Sequence, residues 1–115
     1  MKNPIRASLV VFTLLILSAC VSTPDTVWID VRTVEEFSDD HIAGDMNIPL
    51  ASIDVDALAE RFGKDDEINL YCRSGNRAGQ AKEILEAAGF TNVNNVGGIS
   101  DVRELRSLAT QSSLQ

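Results

Sequence analysis

Short apolar runs and longer segments with helical spacing alternate along most of the chain. The runs at residues 27–31, 46–50, 68–71 and 93–96 are bounded by polar or turn-forming residues, which predicts four strands. Helical segments separate them. This alternation predicts an α/β domain, a three-layer sandwich in which helices cover both faces of a small parallel sheet.

Capping residues and glycines mark the ends of the helical segments. The capping box of Thr33 and Glu36 opens a first helix, and a second is capped by Ser52 or Asp54 and ends near Gly63. The third follows residues 72–77. Its predicted apolar face consists of Ala78, Ala81, Ile84, Leu85 and Ala88.

The fourth helical segment follows the last apolar run. Gly97 and Gly98 predict a turn, and Ser100 is the expected cap of the helix that follows it. The predicted apolar face of this helix consists of Val102, Leu105 and Leu108.

The first 19 residues have a different character. Lys2 and Arg6 precede the uncharged apolar run 9–17, a pattern typical of an export signal. A membrane-spanning helix needs about 20 apolar residues, so a permanent membrane helix is the weaker interpretation. We therefore divide the chain into a signal peptide (residues 1–19), a linker (20–26) and one domain (27–111).

The junction before Cys20 resembles a bacterial lipobox. That resemblance implies cleavage before Cys20, acylation of its sulfur and attachment to a membrane, with Val21 favouring the outer membrane. Ordinary cleavage near Ala19 and an uncleaved anchor are the alternatives. Each of them places the domain outside the cytoplasm, on the periplasmic side.

The charge of the chain excludes one class of partner. Its formal net charge is −7, and loss of Lys2 and Arg6 with the signal peptide would make it −9. Such an acidic domain is unsuited to nucleic acid. A small anionic ligand would need a local cluster of donors.

Cys72 is the candidate nucleophile. It could form a disulfide with Cys20, the other cysteine, but acylation of Cys20 would exclude that pairing and leave Cys72 as a free thiol. Cys72 follows a predicted strand directly, and ligands bind beyond the carboxyl ends of strands in open parallel sheets. A small buried hydrophobic residue is the structural alternative.

The loop after Cys72 favours the reactive interpretation. It contains Arg73, Ser74, Gly75, Asn76 and Arg77, and leads into the third helix. Consecutive backbone N–H groups, the helix dipole and two guanidinium groups would all lower the pKa of the thiol. The same donors could hold a small anionic sulfur donor such as thiosulfate and then stabilise a persulfide.

Three segments together resemble the rhodanese family, in particular its short single-domain periplasmic branch. They are residues 28–37, residues 41–49 and residues 71–81, with a weaker match at residues 97–99. The resemblance implies a thiosulfate:cyanide sulfurtransferase with a persulfide on Cys72, and Arg77 as the main anion contact. Cyanide or a thiol would accept the sulfur, and we expect a monomer without a cofactor.

The sequence departs from the family in two ways. The strand and helix that usually precede the segment at residues 28–32 are absent, and Val102 stands where many relatives have Trp. We therefore expect a smaller sheet and a more open pocket rim.

Three other polar residues are interpreted as structural support. Asp30 and Arg32 are expected to form a buried ion pair that holds strand to loop. His41 is the only histidine, so we predict a turn-stabilising hydrogen bond and no metal site.

Two other functions compete with sulfur transfer. Cysteine phosphatases and arsenate reductases place five residues between Cys and Arg, whereas four separate Cys72 from Arg77. No Asp beside the loop is an evident general acid for an alkoxide leaving group. The other alternative is a non-catalytic rhodanese-like lipoprotein module with a redox-sensitive Cys72.

Overall fold

The computed structural model describes residues 26–115. The predicted signal peptide, Cys20 and linker residues 21–25 lie outside the described residues, so cleavage and acylation stay predictions. Within the described part, none of the helices is long and apolar enough to span a membrane.

Strands and helices alternate along the described residues. In chain order they are β1 (Val27–Asp30), α1 (Val34–Asp39), β2 (Met46–Asn47), a 3₁₀ turn (Leu50–Ser52), α2 (Val55–Arg61), β3 (Ile68–Cys72), α3 (Asn76–Ala87), β4 (Val93–Gly98) and α4 (Ile99–Ser113). Thr33 and Glu36 form the predicted capping box of α1, and Asp54 caps α2.

The four strands form one parallel sheet in the order β2-β1-β3-β4. Strand β3 lies inside the sheet, where Asp30 of β1 pairs with Tyr71 on one side. On its other side, Cys72 pairs with Gly98 of β4. The carboxyl ends of β3 and β4 therefore lie side by side.

Side chains of the sheet alternate between two hydrophobic layers. Ile68, Leu70 and Cys72 pack with α2 and α3 in one layer. Tyr71 packs with Ile99 and Val102 in the other, under α4. Since successive strand residues point to opposite faces, this arrangement confirms the three-layer α/β sandwich.

A polar cluster attaches α4 to the sheet. The buried Tyr71 hydroxyl donates to Asp45 Oδ2 at 2.6 Å, and Arg106 of α4 donates to Asp45 Oδ1 at 3.0 Å. The Arg106 guanidinium also lies over the Trp28 ring, 4.0 Å from its centroid. Burial and then the Asp45 hydrogen bond raise the pKa of Tyr71. Neighbouring Val102 of α4 is fully buried, and a rim more open than that of relatives with Trp stays a prediction.

The start of α4 also differs from the prediction. Strand β4 runs through Gly97 and Gly98, which were expected to form a turn, and α4 begins at Ile99 with Gly98 as its cap. Ser100 is therefore inside the helix. The physical reason is that Asp101 Oδ2 accepts a hydrogen bond from the Gly98 N–H at 2.7 Å, which starts the helix two residues earlier than predicted.

Three leucine and isoleucine positions are less buried than their spacing predicts. Ile84 is 40% exposed, Leu105 is 50% exposed and Leu108 is 58% exposed. In α3 the sheet is covered by Ala78, Ala81 and Leu85, and a neighbouring residue on a helix is rotated by about 100° from that face. In α4 the buried side chains are confined to the first turn.

Replacing Leu85 and Ile84 separately tests this orientation of α3. Leu85→Ala removes a side chain that is 1% exposed, and we expect it to lower the free energy of unfolding by about 2–5 kcal/mol. Ile84→Ala is the matched control and should cost less than about 1 kcal/mol. Urea denaturation of both variants measures the difference, and equal costs would contradict the assigned face.

Candidate active site

Strand β3 carries Cys72 to the carboxyl edge of the sheet, where the chain turns into α3. The Cys72 side chain is 1% exposed and free of any disulfide in the described part of the chain. Its Sγ accepts a hydrogen bond from the Gly75 N–H at 2.9 Å. The loop thus folds back over the sulfur within three residues.

Glycine is required at the turning point of this loop. Gly75 has φ +96°, the left-handed region that other residues rarely adopt, and it directly precedes α3. A Cβ at this position would lie 3.3 Å from Gly97 Cα of β4. The turn therefore depends both on backbone conformation and on close contact with the neighbouring strand.

Opposing effects set the pKa of the Cys72 thiol. Burial, the largest single effect, raises the pKa because it penalises the thiolate. Backbone N–H groups of Ala78, Ser74, Gly75 and Arg77 donate toward the sulfur and together outweigh burial. The net result is a pKa below the ordinary value of a thiol, which favours a nucleophilic thiolate.

Strand β4 holds the loop from the side, through residues that the sequence analysis missed. Asn95 Nδ2 donates to the Gly75 carbonyl at 2.9 Å, and Asn95 Oδ1 accepts from the Gly97 N–H at 3.0 Å. The Gly98 Cα faces the Arg73 carbonyl so closely that a Cβ would collide with it. The signal available in the sequence is the pair Asn94 and Asn95 inside a predicted strand, which does not show that Asn95 is the one that contacts the loop.

Arg77 is already paired in this structure. Its guanidinium donates to both carboxylate oxygens of Glu36, at 2.5 and 3.0 Å. This pair lowers the pKa of Glu36 to about 2 and raises the pKa of Arg77. The capping-box pattern predicts only a helix cap for Glu36, and this second role has no signal in the sequence. The contact of Arg77 with a bound anion stays a prediction.

The other predicted loop residues lie around the same turn. Arg73 lines a cleft of about 390 Å³, together with Glu36 and Ser100. The backbone of Ser74 contributes one of the donors to Cys72. Asn76 Oδ1 accepts a hydrogen bond from Gln80 Nε2 at 3.3 Å along α3, and a contact of Asn76 with a bound anion stays a prediction.

A thiolate held by backbone donors after a parallel strand is the geometry expected of a sulfurtransferase loop. The family described as Rhodanese-like domain matches residues 16–105. The chain belongs to the rhodanese-like sulfurtransferase family.

Individual relatives agree with this assignment. Thiosulfate sulfurtransferase PspE of Escherichia coli is 41% identical over 75 residues, which are 65% of this chain and 72% of that protein. Thiosulfate sulfurtransferase 16 of Arabidopsis thaliana is 37% identical over 84 residues, covering 64% and 70%. A rhodanese from E. coli solved with anions superposes with a TM-score of 0.61 at 41% identity, covering 67% and 91%.

In this rhodanese-like domain, Asp30 and Arg32 support the site from β1. Asp30 is fully buried, and both its oxygens accept from Arg32, the shortest distance being 2.7 Å. Arg32 also donates to the Asp40 carbonyl at 2.7 Å. The predicted ion pair is present, and it fixes the end of α1 next to the Cys72 loop.

His41 makes a local contact. Its Nδ1 lies 2.9 Å from the Phe37 carbonyl, and its ring stacks on Phe37 with centroids 4.2 Å apart. Both contacts span one helical turn, in agreement with a turn-stabilising role.

Removing the Asn95 side chain tests how the rhodanese loop is held. Asn95→Ala should lower the free energy of unfolding by about 1 kcal/mol and shift thiol alkylation to higher pH, because Gly75 loses a partner that orients its N–H. Asn94→Ala is the matched control, since Asn94 bonds Asn69 instead. The rate of iodoacetamide modification against pH measures the effect. An unchanged profile in Asn95→Ala would contradict the role of this contact.

Proposed function

We propose that this domain is a thiosulfate sulfurtransferase that carries sulfane sulfur as a persulfide on Cys72. The observation that carries the proposal is the set of four backbone N–H groups that lowers the pKa of a buried thiol. Such donors stabilise a thiolate before reaction and a negatively charged persulfide after it.

In the first step, the Cys72 thiolate attacks the outer sulfur of thiosulfate. A new sulfur–sulfur bond forms to Cys72 while the bond in thiosulfate breaks, and sulfite leaves with the electron pair. Sulfite is a stable anion and needs no proton, so the step requires no general acid. The persulfide formed carries its charge on the terminal sulfur.

In the second step, an acceptor removes that sulfur. Cyanide attacks the terminal sulfur through carbon and leaves as thiocyanate, or a thiolate attacks it and leaves as a new persulfide. Either reaction returns the Cys72 thiolate. Because no redox partner is consumed, the cycle is complete with one donor and one acceptor.

The donor is an anion that must approach an acidic protein. The formal charge of the chain is −7, so long-range electrostatics oppose binding. Local backbone donors and the guanidinium groups of Arg73 and Arg77 supply the attraction, and Arg suits an anion with several oxygens. The E. coli rhodanese solved with anions supports such a site.

Intact mass after thiosulfate treatment tests the persulfide. The protein should gain the mass of one sulfur atom and lose it on addition of cyanide, with formation of thiocyanate. Cys72→Ser should take up no sulfur and lose turnover by at least about 10³-fold, because no other described residue can form the persulfide. Undiminished turnover by Cys72→Ser would refute the mechanism.

We also propose that the domain works outside the cytoplasm as a lipid-anchored monomer. The apolar run before Cys20 and the lipobox-like junction support export and acylation. Sulfur transfer on the periplasmic side would then use a donor that diffuses to a membrane-attached enzyme.

Expression of Cys20→Ser in a Gram-negative host tests the anchor. The native chain should sediment with membranes and incorporate labelled palmitate, whereas Cys20→Ser should incorporate none because it lacks the sulfur that is acylated. Size-exclusion chromatography of the detergent-solubilised native chain measures the oligomeric state. Recovery of both proteins in the same soluble fraction would contradict lipid attachment.

A further inference from the structure

In this structure Glu36 pairs with Arg77, the residue that is proposed to bind the sulfur donor. Both nitrogens at the end of the Arg77 guanidinium donate to Glu36. The side chains are 31% and 27% exposed, respectively. Because water screens ion pairs that reach solvent, an incoming anion with more charge than the carboxylate could compete with Glu36 for Arg77.

The location of this pair makes such replacement relevant to the site. Glu36 lines the cleft that also contains Arg73, while Arg77 lines a second cleft of about 320 Å³ beside Val31 and Leu50. The pair thus joins the rims of two openings next to the loop. Arg77 is also close enough to Cys72 for the thiolate charge to raise its pKa, after the larger effect of Glu36.

We infer that Glu36 is a specificity-determining residue, an internal competitor that holds Arg77 until a doubly charged sulfur donor displaces it. The inference rests on the proposed sulfur transfer. A dianion gains twice the Coulomb energy of a monoanion from the released guanidinium. A dianion such as thiosulfate therefore gains more from the release of Arg77, and competition by Glu36 raises its KM more than the KM of a monoanionic donor.

The variant Glu36→Gln separates this role from the helix cap. Glutamine also fits the capping box with Thr33, so α1 is retained while the carboxylate charge is removed. We expect the KM for thiosulfate to fall about fivefold, with kcat changed less than twofold. For benzenethiosulfonate, a monoanionic donor, the KM should fall only about twofold.

Two controls make the result specific. Glu35→Gln removes the same charge from the same turn of α1, at a residue with no ion-pair partner among residues 26–115, and should change either KM less than about 1.5-fold. Thr33→Ala removes the cap but leaves the carboxylate, so it should lower thermal stability without lowering the KM. Melting temperatures of all variants confirm that they are folded.

A double-mutant cycle with Arg77→Gln decides whether the effect passes through Arg77. In the Arg77→Gln background, Glu36→Gln should no longer lower the KM for thiosulfate. A rise or no change of the KM in Glu36→Gln, an equal fall for both donors, or a fall that persists without Arg77 would overturn the inference. Absence of sulfur uptake by the native protein would instead refute the proposed function.

Discussion

The thiol of Cys72 is buried, and a buried thiolate is stable only where donors replace the water that it has lost. Four backbone N–H groups provide this replacement. They converge because β3 ends at Cys72, Gly75 takes a left-handed turn, and α3 begins at the next residue. Parallel pairing of β3 with β4 then places Asn95 where it holds the Gly75 carbonyl. The local backbone geometry of the site is therefore a consequence of the whole sheet.

Arginine has mainly a structural role around this loop. Arg32, Arg77, Arg103 and Arg106 each pair with an acidic residue from the segment between β1 and β2 or from β1 itself. The pairs of Arg77, Arg103 and Arg106 attach α3 and α4 to α1 and to the loops near it. Because these pairs neutralise positive charge, they weaken the long-range attraction of the domain for an anion, and short-range contacts at the loop must supply it. Arg73, by contrast, has no charged partner among residues 26–115 and faces a cleft.

Local features were predictable from the sequence, and long-range contacts were not. The capping box of Thr33 and Glu36 and the position of Cys72 at a strand end depend on neighbouring residues, and both are present. The pairs of Arg77 with Glu36 and of Asn95 with Gly75 span 41 and 20 residues, so no spacing rule reveals them. Likewise, the exposure of Ile84 depends on how α3 packs on the sheet. Helical periodicity predicts an apolar face but does not decide which of two neighbouring apolar residues, Ile84 or Leu85, is buried.

Burial and backbone donors act on the same sulfur in opposite directions, and this opposition suits a sulfur carrier. A thiol with a strongly lowered pKa is ionised but intrinsically a weaker nucleophile, so attack is fastest when the pKa lies near the ambient pH. Burial limits how far the backbone N–H groups lower the pKa of Cys72. After transfer, the charge moves one atom outward to the terminal sulfur. The backbone N–H groups of the loop are spread around the sulfur instead of pointing at a single atom. They can therefore stabilise both the thiolate and the terminal sulfur of the persulfide.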